Sequence, residues 1–214
     1  VSKSNIIVIA TPSKVVRQII SKIKPYLNNE HIIVNTSKGL EVDTLFTMSE
    51  VISNVLNFDF NNIVSLYGPS HAEEVATCQP TTLVSAASDA IVAKKIQKVF
   101  SSENLRVYTN QDIKGVELGG SLKNIIAIAT GICDGLGFGD NTKAAIITRG
   151  IAEITRLGEK MGAQNSTFSG LSGTGDLIAT CLSKHSRNRF VGESLGSGKS
   201  LDQILESMEM VAEG

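Results

Sequence analysis

Apolar residues in the first half of the chain follow two alternating rhythms. Short β-branched runs read as strands at Asn5 to Ala10, His31 to Asn35, Asn62 to Tyr67, Thr81 to Ala86 and Leu105 to Tyr108. Between them the spacing turns helical. Ser13 to Ile23 puts Val16, Ile19, Ile20 and Ile23 on one face, and Val42 to Leu56 reads as a second helix. A short helix starts at Ser70. Ala90 to Phe100 is a further one, with Val92, Ile96, Val99 and Phe100 facing inward. This alternation predicts an α/β unit, a mostly parallel sheet with helices on its faces.

After Asp112 the pattern changes and no strand is expected. Ile113 to Cys133 reads as one long helix. Asp140 or Asn141 is placed to cap the next, which carries Ile147, Ile151, Ile154 and Met161 on one stripe and stops at Gly162. Shorter helices fit Leu177 to Leu182, Ser186 to Leu195 and Leu201 to Met208. The pattern divides the chain into a sheet domain, 1–112, and an all-helical domain, 113–214.

Composition narrows the function classes. Hydrophobic residues make up 42% and charged residues 19% of the chain, enough for a real core. Aromatic residues are few and Trp is absent, which argues against a stacking surface for sugars or bases. A net charge of -1 supplies no field for nucleic acid or an anionic membrane. Cys78, Cys133 and Cys181 lie far apart and match no metal spacing, so no metal is expected and a reducing compartment suits them. No apolar run is expected to span a bilayer, and the opening residues read as a buried strand rather than a signal peptide. The chain lacks an initiator Met and ends at Val211-Ala212-Glu213-Gly214 without a stop signal, so a fragment is expected.

Five motifs carry candidate chemistry. Asn35 to Glu41 follows the second strand, where α/β sheets form their ligand crevice, and places Lys38 there; the bland alternative is a solvated Lys in a turn made by Gly39. Gly68-Pro69-Ser70-His71-Ala72-Glu73-Glu74 ends the third strand. Ser70 can cap the next helix with Glu73 three residues on, with or without a ligand, and His71 reads as structural. Gly119-Gly120-Ser121-Leu122-Lys123-Asn124 puts a costly Gly pair inside a helix. That implies close approach to a ligand or another backbone, with Lys123 either in a protected place, poised as acid or base, or reaching water. Gly170 to Leu177 is a Gly-rich turn whose Asp176 is either a cap or the partner of a catalytic Lys. Ser186-Arg187-Asn188-Arg189 is either a phosphate grip at a helix start or a surface basic pair. Gly196-Ser197-Gly198-Lys199-Ser200 is no P-loop, because Glu193 stands where that pattern needs Gly. Gly135 to Gly139 likewise lacks the strand and spacing of a dinucleotide fingerprint.

In order and spacing these motifs, with Asp134-Gly-Leu-Gly-Phe-Gly-Asp-Asn-Thr-Lys-Ala-Ala145 between the third and fourth, resemble the bacterial NAD(P)-dependent glycerol-3-phosphate dehydrogenases over essentially the whole chain. The resemblance implies an incomplete Rossmann-like domain followed by a truncated helical substrate domain. It implies reversible reduction of dihydroxyacetone phosphate to sn-glycerol 3-phosphate with NAD or NADP, for phospholipid synthesis, in a cytoplasmic homodimer. Lys123 resembles the proton donor and acceptor; Lys38, Gly68 and Ser70 resemble substrate contacts. Asp176 would orient the lysine, and Ser186, Arg187 and Asn188 would hold the substrate phosphate. Lys38, Ala72, Arg187, Val211 and Glu213 resemble cofactor contacts. The family's opening Gly-rich turn and the residue that separates NAD from NADP are missing from the string. The fragment alone is therefore expected to be inactive. Ser121 stands where Ala is usual, and no functional effect is expected of it. A ketopantoate or β-hydroxyacid-type dehydrogenase, which would need a carboxylate rather than a phosphate grip, is the alternative enzyme. A non-catalytic nucleotide-binding module is the alternative class.

Overall fold

The β-branched runs form five strands: β1 Ile6–Ile9, β2 Ile32–Asn35, β3 Ile63–Tyr67, β4 Thr81–Ala86 and β5 Leu105–Asn110. A computed structural model describes residues 3–56 and 61–208. The strands make one sheet in the order β1-β2-β3-β4-β5, parallel at every pairing except β3 with β4. Residues of β2 and β3 are buried on both faces, which is why they read as continuous apolar runs. Their alternation sorts the core. Ile33 and Ile63 join Val16 and Ile20 of α1, Val16–Ile23, and Met48, Val51 and Ile52 of α2, Met48–Leu56. Val34, Val64 and Leu66 meet Val92, Ala93 and Ile96 of α4, Ala90–Phe100, on the other face. Each buried Val, Ile, Leu or Met among them contributes about 1.5–3 kcal/mol. Between β3 and β4 lies the short α3, Ala72–Ala76.

The second half is helical: α5 Ile113–Gly135, α6 Asp140–Lys160, α7 Asn165–Phe168, α8 Asp176–Leu182, α9 Arg187–Gly196 and α10 Leu201–Glu206. Helices α6, α7, α8 and α9 pack on α5, and α10 packs on α9. A Cβ on Gly131 would lie 2.0 Å from the Arg189 carbonyl oxygen, and one on Gly192 2.0 Å from that of Ile128, so α5 and α9 touch backbone to backbone. By length and hydropathy α5 matches a membrane span, which the sequence reading did not anticipate. Since 67% of its apolar window is buried within the chain, it serves as a core helix.

Four local expectations need correction. Helix α2 starts at Met48, not Val42. Residues 41–47 form a loop closed by a Leu40–Thr47 bridge, with Leu45 at φ 58°, because Arg17 draws the Glu41 carboxylate to itself at 2.7 Å. Ser13–Val15 is a 3-10 turn preceding α1. Val99 is 56% exposed, since the buried stripe of α4 is centred on Val92, Ala93 and Ile96. Neither Asp140 nor Asn141 caps α6; the cap position is Gly139, and the Asp140 carboxylate meets Lys143 at 3.3 Å.

Candidate functional site

The site begins at the carboxyl ends of β2 and β3. Asn35 is fully buried, and its side-chain amide donates to the Ser37 carbonyl at 3.0 Å and to the Tyr67 hydroxyl at 3.1 Å. Tyr67 in turn donates to the Ser37 carbonyl. The turn is thus locked, and Lys38 leaves it over the Tyr67 ring, 5.7 Å from its centroid. The Lys38 ammonium donates to the Gly68 carbonyl at 3.1 Å and to Asp176 Oδ2 at 2.7 Å. Gly39 follows at φ 150°, where an added Cβ would also sit 2.7 Å from Ser13 Oγ.

Helix α5 supplies the second lysine. Gly119 lets the helix approach the turn before α8, since a Cβ there would stand 2.7 Å from the Ser172 carbonyl oxygen. Gly120 faces the Tyr67 ring. The costly Gly pair is therefore explained by close packing on backbone and ring. Lys123, 6% exposed, donates to Asp176 Oδ1 and to Thr180 Oγ1, the latter at 2.7 Å. Burial, aided by the nearby Lys38 charge and opposed by Asp176, pulls the Lys123 amine down to about 7. Burial alone would raise the Asp176 carboxyl; the two ammonium groups outweigh it and hold the acid below its ordinary range. Asp176 opens α8 without capping it, so its carboxylate is spent on the lysines.

These groups line a cavity of about 340 Å³ that also exposes Ser70, Ala72, Asn124, Arg187 and Asn188. Ser186 caps α9, accepting from the Arg189 amide at 3.2 Å. Next to it the buried Asn188 Oδ1 has no partner, and Arg187 lies on the exposed side of the same first turn. The structure therefore brings together Lys38, Ser70, Ala72, Lys123, Asp176, Ser186, Arg187 and Asn188. Gly68 stands behind the wall and takes part through its carbonyl. Val211 and Glu213 fall outside the described residues. Ser70 does not cap α3: its hydroxyl donates to the Gly68 carbonyl at 3.3 Å, and His71 occupies the cap position.

Sequence reasoning missed Thr180, His185 and the burial of Glu117. Thr180 lies one turn after Asp176, a spacing that signals a shared helix face. His71 and His185 face each other across the rim, with ring centroids 6.1 Å apart. Burial, then the Lys123 charge, holds the His71 ring below its usual value. Glu117 is fully buried on α5, accepting from the Ser49 amide at 2.9 Å, the Ser49 hydroxyl at 2.5 Å and the Ser65 hydroxyl at 2.7 Å. Burial raises its carboxyl against those donors. No short-range pattern announces it, because its partners sit on α2 and β3.

Two family models match the chain. The NAD-dependent glycerol-3-phosphate dehydrogenase N-terminus covers residues 1–93, and the C-terminus of the same family covers residues 112–214. The chain belongs to the NAD-dependent glycerol-3-phosphate dehydrogenase family. The glycerol-3-phosphate dehydrogenase (NAD(P)+) of Pelodictyon phaeoclathratiforme is 54% identical over all of this chain and 65% of its own length. That of Bacillus subtilis is 51% identical over all of this chain and 62% of its own length. The crystal structure of glycerol-3-phosphate dehydrogenase from Coxiella burnetii superposes with a TM-score of 0.92 at 37% identity, covering 98% of this chain and 64% of that one. The chain thus spans less than two thirds of the relatives it matches. The Rossmann-like sheet followed by a helical domain is the architecture of this family.

Membership implies a nicotinamide cofactor, and the residues fit one. The Thr11 hydroxyl, just past β1, is buried without a partner, and Ser37 at the neighbouring strand end donates to the Thr11 carbonyl at 2.5 Å. An unfilled hydroxyl and the Lys38 cation at the carboxyl ends of parallel strands suit a polar, anionic ligand.

Proposed function

We propose that the protein carrying this chain interconverts dihydroxyacetone phosphate and sn-glycerol 3-phosphate with NAD or NADP, supplying glycerophospholipid synthesis. The observation that carries this reading is Lys123, a buried amine drawn down to about 7 and held by Asp176 in a cavity that also presents Arg187 and Asn188. A group that gains and loses a proton near neutral pH suits a reversible carbonyl reduction. When bound, the dihydronicotinamide supplies the hydride to the carbonyl carbon. Negative charge then grows on the carbonyl oxygen, where the Lys123 ammonium stabilises it and donates a proton. In the reverse direction the neutral amine accepts the hydroxyl proton. Asp176 orients Lys123, with Lys38 as the second cation and substrate contact. Arg187, Asn188 and the Ser186-capped start of α9 take the phosphate; Gly68 and Ser70 border the three-carbon unit. Lys38, Ala72 and Arg187 contact the cofactor, and Val211 and Glu213 are assigned to it by resemblance alone.

The sheet domain is assigned to 1–112 and the substrate domain to 113–214, joined where Asp112 caps α5 by accepting from the Gly115 amide at 3.0 Å. A cytoplasmic location is supported by three free cysteines. A homodimer is supported by the apolar Leu136, Phe138 and Leu157 left exposed on the helical half. The test is oxidation of NAD(P)H by the full-length protein with dihydroxyacetone phosphate. Turnover is expected, and Lys123→Met lowers it by about 10²–10⁴. Inactivity with that ketone alongside activity with a 2-keto acid would refute the reading.

A further inference from the structure

Ser121 lies on α5 two residues before Lys123. Its hydroxyl donates to the Glu117 carbonyl one turn earlier, at 2.7 Å. That bond fixes the rotor and leaves the oxygen lone pairs aimed away from the helix. The Gly39 amide donates to this oxygen at 2.9 Å. Gly39 adjoins Lys38, whose ammonium meets Asp176 Oδ2 at 2.7 Å, while Lys123 takes the other oxygen of the same carboxylate. One hydroxyl thus joins the helix bearing one cation to the turn bearing the other, across 82 residues of sequence.

We propose that Ser121 is a positioning residue whose hydroxyl clamps the Lys38 turn to α5 and so fixes the distance between the two ammonium groups that share Asp176. The sequence expectation that serine here is silent is revised on this geometry. The clamp is neither catalytic nor a ligand contact: it acts through Lys38. Its consequence is electrostatic. Lys38 is one of the influences that draw Lys123 down to about 7, so a looser Lys38 turn lets the Lys123 midpoint rise. Besides the Thr180 hydroxyl, the other described titratable groups that feel the Lys123 charge are Asp176 and Cys181 on α8 and His71 in the turn after β3; none of them is held by Ser121.

The inference rests on the proposed reaction only for its kinetic consequence. The first measurement is therefore free of turnover: a titration of the lysine side chains by ¹³Cε NMR in the full-length protein, with the Lys123 signal identified by its loss in Lys123→Met. In Ser121→Ala the Lys123 midpoint rises to about 7.5 or above. In Ser121→Thr, which keeps the hydroxyl, it stays at the parent value. Kinetically, in Ser121→Ala the limb where reduction of dihydroxyacetone phosphate fails at high pH moves upward with the Lys123 midpoint. An unmoved midpoint in Ser121→Ala, or equal movement in the Ala and Thr variants, overturns the clamp. A protein inert toward the ketone whose Lys123 still responds to Ser121→Ala overturns the proposed reaction and leaves the clamp standing.

Discussion

The Asp176→Asn variant tests the central charge arrangement most directly. The substitution keeps shape and removes one negative charge from a carboxylate 2% exposed that accepts from two ammonium groups. Breaking a buried pair by deleting one partner costs about 3–5 kcal/mol, because the surviving charge is left in low dielectric. Lys38, with 22% of its side chain exposed, retains some water; Lys123, with 8%, retains little. Lys123 therefore responds by losing its proton at a lower pH than in the parent.

That response gives the penalty a pH signature. In the parent, Lys123 sits at about 7 when folded against an ordinary 10.5, so the unfolded chain binds the extra proton between those values. Stability from this group rises with pH through that window and is level below it. Without Asp176 the folded midpoint falls below 7 and the window extends to lower pH. The gap between parent and variant therefore widens below neutrality by up to about 1.4 kcal/mol per pH unit. His71 responds to both groups, and its ring feels the loss of Asp176 in the same downward direction. Urea unfolding of both proteins at several values between pH 6 and 9 measures the gap. A gap that is flat, or that widens toward alkaline pH, refutes the charge arrangement. Dihydroxyacetone phosphate reduction by the variant is expected to drop by about 10²–10⁴.

Two further outcomes follow from the same geometry. Under the proposed reaction, kcat/KM of the full-length protein for ketone reduction is expected to decline as pH rises through about 7, where Lys123 loses its proton, and kcat/KM for alcohol oxidation to climb through the same midpoint; initial-rate profiles in both directions test it. Gly192→Ala puts a Cβ 2.0 Å from the Ile128 carbonyl oxygen and destabilises by about 1–3 kcal/mol or more, whereas Gly139→Ala meets nothing within 4 Å and stays within about 0.5 kcal/mol in the same denaturation assay.

The elements that sequence alone delivers are those whose cause is local. The strands announce themselves because β2 and β3 are buried on both faces, and the α5 helix because its apolar positions persist for 23 residues. Failures occur where a distant partner decides. Residues 42–47 look helical, yet Arg17 takes the adjoining Glu41 carboxylate from 24 residues away. One failure is local: Ser70 looks like a cap, yet the Gly68 carbonyl two residues back claims its hydroxyl. Lys123 and Asp176 are legible as candidate partners, but the contact itself is not, since 53 residues separate them and only the packing of α8 on α5 joins them. Glu117 is harder still. Its donors come from positions 68 and 52 residues away, and a carboxylate amid apolar neighbours reads as a surface charge until β3 and α2 are known to cover it.

The first turns of α5 explain why the sheet and the helices form one site. Gly119 and Gly120 each cost a helix about 1 kcal/mol relative to Ala, and a buried Glu costs more unless it is fully hydrogen-bonded. Such losses persist where they fix something else. Glu117 ties the helix to the start of α2 and to β3, Gly120 seats it on Tyr67, and Gly119 seats it on the backbone before Asp176. Tyr67 in turn holds the Lys38 turn through Ser37, so the ring that seats α5 also positions the second cation that Lys123 faces. Two ammonium groups share one carboxylate, and that excess of positive charge over a single acid is compatible with an anionic substrate. An anion arriving near Arg187 would favour the protonated form of Lys123, loading the proton where a ketone oxygen needs it and releasing the requirement when the product leaves.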